Sequence, residues 1–368
     1  MRKQRWVGMS AALVSLMVVL AACGPGASPS ASAPASTGPT PTAVPSVSFK
    51  VCEVSDTGGI DDKGFNQNAW DGVQRAHDEL GVQVQFLESS ADTDYAPNIQ
   101  TFLDGGCDLI VTVGFLLGDA TKAAAIANPT RKFAIVDYAY DPAIPNVLGL
   151  VFDTKSASML QGYLAAGMST TGKIGTFGGI QIGPVTDFMD GYVAGAKYYN
   201  SKHGTSVKVL GWDPASATGS FTGDFTDLDK GRQTAEALMQ EGADVIFAVA
   251  GPVGQGAMAA VKDNTAGLDP APYMIGVDVD QFISVPGYES IMLSSELKRI
   301  DNAVYAAIQA AMAGSFTTNL YVGTLANDGV GMAPYHDLDS KVPAALKTEI
   351  DALKAALIDG SVKADDFK

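Results

Sequence analysis

Cationic side chains, histidine, cysteine and tryptophan are all scarce in this 368-residue chain. Lys and Arg number 24 against 40 Asp and Glu, a formal net charge of −16. Nucleic acid rewards clustered Lys and Arg, so this chain is a poor partner for it and none is expected. Three Cys and three His leave little material for a metal site or an iron–sulfur cluster, and no metal or cofactor is expected. No G-x-x-x-x-G-K-[ST] phosphate loop and no G-x-S-x-G nucleophile elbow occurs. Charged residues make up only 17% and hydrophobic ones 46%. That composition excludes a disordered chain, a coiled coil and a small disulfide scaffold. The length leaves room for two domains, each with its own core.

The first residues read as an address. Met1–Arg5 carries positive charge, and Trp6–Ala22 is an uncharged run of about 17 residues, the low limit for a spanning helix. Leu20-Ala21-Ala22-Cys23 follows. Residues 1–22 therefore read as an export signal. The four residues resemble the lipobox of bacterial lipoproteins, which implies a lipidated Cys23 and a body held at the cell membrane from outside. Gly24–Ser48 is Ser, Ala, Pro, Thr and Gly with no charge, and reads as a flexible tether.

From Phe49 the pattern alternates between strand and helix. Phe49–Asp56, Val82–Glu88, Cys107–Gly114, Lys132–Tyr138 and Val147–Asp153 are apolar runs of strand length, separated by helix-length segments such as Asn66–Leu80 and Tyr95–Leu103. The runs are nearly continuous, as in parallel strands covered on both faces. The rhythm resumes with strands at Lys173–Phe177, Val207–Trp212, Ala243–Ala250 and Tyr273–Asp278, and helices at Pro184–Ser201, Asp229–Glu241 and Gly254–Asp263. Leu103–Gly114 also resembles Met239–Gly251, units about 136 residues apart, as two α/β lobes of one kind would give. Parallel sheets bind ligands beyond the carboxyl ends of their strands. There stand Asp56, Gly58-Gly59, Gly114-Phe115, Asp137-Tyr138, Gly178-Gly179, Trp212-Asp213, Gly251-Pro252 and Asp278. These are acceptors, turns and stacking faces, with no Ser/His/Asp set, so no enzyme is expected.

Several motifs carry two readings. Asp62 sits where a helix begins and is favoured there by free amides and the helix dipole. Phe65 is either core or, given its polar loop at a strand end, a binding face. Gly254-Gln255-Gly256-Ala257-Met258-Ala259 imitates a dinucleotide loop, but the stretch that should open such a fold lacks the pattern. Asp224, Asp227 and Asp229 miss calcium-loop spacing. His77, His203 and His336 lie far apart in surface-like segments. Cys52 and Cys107 fall in the first and third strands, which are commonly neighbours. Export permits a disulfide, adjacent parallel strands suit one poorly, and two buried thiols remain the alternative.

From about Phe49 to Lys363 the chain resembles the basic membrane protein family of lipoproteins, purine-nucleoside-type substrate-binding proteins of ABC transporters. The match rests on Ser55–Gln67 (SDTGGIDDKGFNQ), Asp108–Phe115, Gly242–Phe247, Ile275–Gln281 and Leu293–Arg299. The resemblance implies a type I periplasmic-binding-protein fold, α/β, with two doubly wound parallel-sheet lobes joined by a three-strand hinge. The first lobe is expected over 49–155 plus about 280–315, the second over 156–279 plus about 316–368. The resemblance further implies a purine stacked between Phe65 and Phe225, with Phe221 as the fallback. It places Asn66 and Asp137 at the base edge, and Asp56, Asp278 and Lys298 at the ribose. Gly251 would let the second lobe's backbone approach. The implied partners are a small-molecule nucleoside, an ABC permease and its ATPase, and the body is expected to act as a monomer. A ligand sensor for a membrane signalling partner, or a binder of another stacked heterocycle such as riboflavin, uses the same features.

Overall fold

The computed structural model describes residues 45–265, 272–318 and 320–367. The signal segment, Cys23 and most of the tether lie outside the described residues. In chain order the elements are β1 (Lys50–Ser55), α1 (Phe65–Leu80), β2 (Gln83–Leu87), α2 (Tyr95–Asp104), β3 (Leu109–Val113), α3 (Gly118–Ala127), β4 (Lys132–Val136), β5 (Val147–Phe152), α4 (Thr154–Met168), β6 (Lys173–Gly178), α5 (Gly183–His203) and β7 (Lys208–Leu210). There follow β8 (Trp212–Asp213), β9 (Thr218–Gly219), α6 (Leu228–Gln240), β10 (Val245–Val249), α7 (Val253–Asp263), β11 (Tyr273–Gly276), α8 (Gln281–Ser284), β12 (Met292–Lys298), α9 (Ile300–Met312), β13 (Tyr321–Gly323), β14 (Val330–Met332) and α10 (Ala344–Asp359).

Two six-stranded sheets carry the fold, in the orders β2-β1-β3-β4-β5-β13 and β7-β6-β10-β11-β12-β14. Every pairing is parallel except that of the edge strand β14. Both sheets are covered on both faces. Ala69, Val73 and Ala76 of α1 and Val304 and Ile308 of α9 pack on one face of the first sheet. Ile99, Phe102 and Leu117 pack with Cys52 and Val54 on the other. All residues of β3 and β10 are buried, which is why these strands read as unbroken apolar runs rather than alternating ones. The repeat seen in the sequence is real in space: β3 and β10 hold the same place in their sheets. The imitation of a dinucleotide loop has another cause. A Cβ at Gly256 would stand 1.9 Å from the Leu228 carbonyl oxygen, so this glycine lets α7 lie against the start of α6.

The chain crosses between lobes three times, after β5, after β12 and after β13. The crossings touch one another: Asp153 donates its amide to Gly323 O and Arg299 donates to Gly329 O. This is the expected three-strand hinge. The lobe boundaries differ from expectation in two places. β12, expected in the first lobe, belongs to the second sheet, and β13, expected in the second lobe, belongs to the first. β12 follows β11 after only the short α8, and consecutive strands joined so closely stay side by side. Only after Lys298 does the chain cross, so α9 packs on α1 and β13 joins β5.

Cys52 and Cys107 form a disulfide, with Cα atoms 6.1 Å apart. Of the two open alternatives the buried thiols are excluded. The partner of Cys52 across β1 and β3 is Ile110. Cys107 lies before β3, in the turn leaving α2, where its amide bonds to Phe102 O. The bond thus joins a strand to a turn and avoids the poor geometry of directly opposed parallel strands. Closing a loop of this length stabilises a domain by about 2–4 kcal/mol. The double variant Cys52→Ala/Cys107→Ala is therefore expected to lower the unfolding free energy of the body, read from urea denaturation, by an amount of that size; an unchanged midpoint would contradict it.

Candidate functional site

Both sheets have the order in which strand direction of travel reverses between the first and third strands, and a crevice opens there beyond their carboxyl ends. Those ends are Asp56 and Gly114 in the first lobe, and Gly178 and Ala250 in the second. One cavity, with about 600 Å3 of space free of atoms and partly open to solvent, lies between the lobes. All eight residues expected to hold a ligand line it: Asp56, Phe65, Asn66, Asp137, Phe225, Gly251, Asp278 and Lys298.

The first lobe's wall is built by the turn after β1 and the start of α1. Asp62 accepts the amides of Gly64, Asn66 and Gln67 at 2.9, 2.9 and 3.0 Å. It therefore does the helix-starting work read from its position, and fixes the first turn that presents Phe65 and Asn66. Asn66 donates its Nδ2 to Asp56 Oδ1 at 2.9 Å. Its own Oδ1 is buried and has no hydrogen-bond partner. Opposite, a Cβ at Gly114 would stand 2.4 Å from Asp56 Oδ2. Only glycine leaves room for that carboxyl.

Asp137 and Asp278 follow the fourth strands of the two lobes. Both have φ of 65°, a left-handed conformation that Asp tolerates better than most side chains. Each is tied to its neighbour strand, Asp137 N to Leu150 O and Asp278 O from Lys298 N. Lys298, at the end of β12, is 2% exposed. Its Nζ lies 2.5 Å from Asp137 Oδ2. Three rings surround the ammonium: Phe65, Phe152 and Phe188, with centroids at 4.9, 5.3 and 5.6 Å. Such faces attract a cation through their negative quadrupole.

Of the two candidate rings in the second lobe, Phe225 lines the cavity and Phe221 does not. Thr222 N and Gly223 N bond to Gly178 O and Gly179 O, and Asp224 Oδ1 accepts Thr226 N and Asp227 N. This pinned loop holds the Phe225 ring over Gly179, where a Cβ would be 2.3 Å away. Phe221 instead packs edge-on against Trp212 at 5.7 Å. Trp212-Asp213, expected near the crevice, also lies elsewhere. It leaves the edge strand β7, away from the reversal point, and Trp212 Nε1 donates to Asp190. His77, His203 and His336 are partnered by Val82 O, Glu349 and Asp280, and none lines the cavity. Sequence reasoning missed Phe188, Pro184 and Val185 of α5. They look like an ordinary core helix; the one signal is Pro184 in its first turn, a short loop after the glycine-ended β6.

The lobes are bridged around this space. Asn68 of α1 donates to Lys298 O at 2.6 Å. At the rim, Ser284 Oγ donates to Lys63 O at 2.8 Å and Gln255 Nε2 to Asp62 O at 3.3 Å.

Burial dominates the electrostatics. It pushes Asp56 up to about 8, countered by the Asn66 bond and reinforced by Asp62, Asp137 and Asp278. It pushes Asp278 up to about 7, with Lys298 opposing and Asp137 and Asp62 adding to it. Burial also raises Asp62, against its amide bonds.

The profile of the family described as ABC transporter substrate-binding protein, PnrA-like (Bmp) matches residues 49–362. The chain belongs to this family. Basic membrane protein A of Borreliella burgdorferi is 33% identical over 83% of this chain and 84% of its own. A lipoprotein of Pyrococcus horikoshii is 35% identical over 79% of this chain and 70% of its own. The crystal structure of an ABC transporter solute-binding protein from Aeropyrum pernix superimposes with a TM-score of 0.77 at 29% identity, covering 86% and 92% of the two chains. A Bmp-family body of this kind binds a substrate for an ABC transporter.

Buried carboxyls give this Bmp-family chain a pH signature. Burial raises Asp56 to about 8 and Asp278 to about 7 in the folded state, above the value near 4 that both have when unfolded. Between about pH 4 and 8 the folded state therefore binds more protons, and stability falls as pH rises. The ligand-free body should melt at a higher temperature at about pH 5.5 than at about pH 8.5, and Asp56→Asn should shrink the difference. A wild-type melting temperature that rises over this range would contradict the assignment.

Proposed function

We propose that this protein captures a neutral nucleoside of the purine type between its lobes and delivers it to an ABC importer, tethered to the membrane through Cys23. The observation that carries the reading is the convergence, in one cavity, of an aromatic from each lobe with hydrogen-bonding carboxyls from both. Phe65 and Phe225 offer faces for a flat ring, and base–aromatic stacking contributes about 1–3 kcal/mol. The free Oδ1 of Asn66 suits a donor on the base edge. Asp278 and Asp56 suit the hydroxyls of a sugar diol. Lys298 is already paired with Asp137, so no lining cation among the described residues is left for a phosphate.

A thermal-shift screen of the body from Ser48 onward, against nucleosides, nucleobases, nucleotides, sugars and flavins, tests the reading. Purine nucleosides should raise the melting temperature most; a response to sugars or flavins alone would refute it. Phe65→Ala should weaken binding by about 1–3 kcal/mol, a stacking-sized loss, and unchanged affinity would remove Phe65 from the site. In calorimetry guanosine should bind and its monophosphate should not; comparable affinities would refute the charge argument.

A further inference from the structure

Four carboxyls line the cavity, and each can be asked what compensates it. Asp62 has three backbone amides. Asp137 has the Lys298 ammonium at 2.5 Å. Asp278 lies within the field of the same ammonium, which favours its charge. Asp56 has one neutral donor, Asn66 Nδ2. The groups facing Asp56 are Asp62 at the start of α1, Asp137 after β4, Asp278 after β11 and the Tyr95 hydroxyl on α2. Asp56 is only 7% exposed, and the close fit over Gly114 leaves its carboxyl little room to turn toward water. Like charges this crowded in a low dielectric do not all ionise; the one with the weakest compensation keeps its proton.

We propose that Asp56 meets the ligand as a neutral carboxylic acid, serving as a hydrogen-bond donor, and that capture of an uncharged ligand requires this proton. The inference rests on the nucleoside reading for its ligand, but not for its proton. A carboxylate only accepts, whereas a carboxylic acid donates through one oxygen and accepts through the other. Asp56 can therefore engage a hydroxyl or a ring nitrogen that offers a lone pair, while Asp278 accepts from a hydroxyl. The cavity thereby favours ligands that present both an acceptor and donors at one end, and it does so without a second cation.

Two measurements decide it. Carbon-13 NMR titration of the aspartate carboxyls in the ligand-free body, with Asp56→Asn identifying the resonance, should give Asp56 a midpoint near the value of about 8 that burial produces; a midpoint below about 5 overturns the proposal. Calorimetry with adenosine, whose base does not titrate in the range used, should show wild-type affinity falling more than about tenfold between about pH 6.5 and about pH 9.5. Asp56→Asn, which keeps a donor, should lose the part of that dependence centred near pH 8, leaving only what Asp278 contributes near pH 7, and bind more tightly than Asp56→Ala. Flat wild-type affinity, a slope undiminished in Asp56→Asn, or equal weakening by Asn and Ala would each overturn it. If no nucleoside binds at any pH, the nucleoside reading falls, and the NMR titration still decides the proton.

Discussion

The buried ion pair between Lys298 and Asp137 is the contact on which the rest of the site depends. Its ammonium belongs to the last long strand of the second sheet, its carboxylate to the fourth strand of the first, and both side chains are withdrawn from water. A pair this dry contributes little net stability, but removing one partner leaves an uncompensated charge at a cost of about 3–5 kcal/mol. Its effect is therefore to fix geometry. It ties the end of β12, where the chain crosses, to the end of β4, and it orients the ammonium among Phe65, Phe152 and Phe188. It also sets the charge balance, because the one lining cation among the described residues is committed, and Asp62 and Asp56 take backbone amides and the Asn66 side chain instead.

The two lobes reach the cavity by the same structural device. In each, a parallel sheet with the same strand order places its first and third strand ends at the crevice, and the fourth strand ends in an aspartate with a left-handed backbone. The duplication is in backbone and not in chemistry. Asp137 is neutralised across the hinge, while Asp278 remains burdened by burial. The aromatics differ too: Phe65 stands on a helix start fixed by Asp62, whereas Phe225 stands on a loop fixed by Asp224 and glycine contacts. Similar scaffolds thus supply unlike walls, which suits a ligand whose two faces or two ends are unlike.

The fold was legible because its strands are buried on both faces and leave unbroken apolar runs between glycine and aspartate turns. The cavity lining was legible for the same reason, since strand ends in such a sheet border the crevice. What escaped depended on long-range pairing. Nothing local in Met292–Lys298 says which sheet it joins; the register with β11 decides that. The choice between Phe221 and Phe225 turns on which ring lies over Gly179, a contact across the loop that spacing does not encode. The disulfide was undecided because its feasibility depends on Cys107 lying before β3, a matter of two residues at a strand boundary. Trp212 was misplaced because its strand is at the sheet edge, far from the point where strand order reverses.

The loop from Gly58 to Gly64 joins these observations into one physical account. It carries Asp62, whose side chain starts α1 and whose carbonyl accepts from Gln255 of the second lobe. Its Lys63 carbonyl accepts from Ser284, also of the second lobe. Two residues on, Phe65 faces both the cavity and the Lys298 ammonium. Asn68, in the first turn of α1, donates to the Lys298 carbonyl at the end of β12, where the chain crosses between lobes. Phe65 and Asn66, which line the cavity, therefore sit in the chain between two sets of interlobe bonds, those of Asp62 and Lys63 before them and that of Asn68 after them.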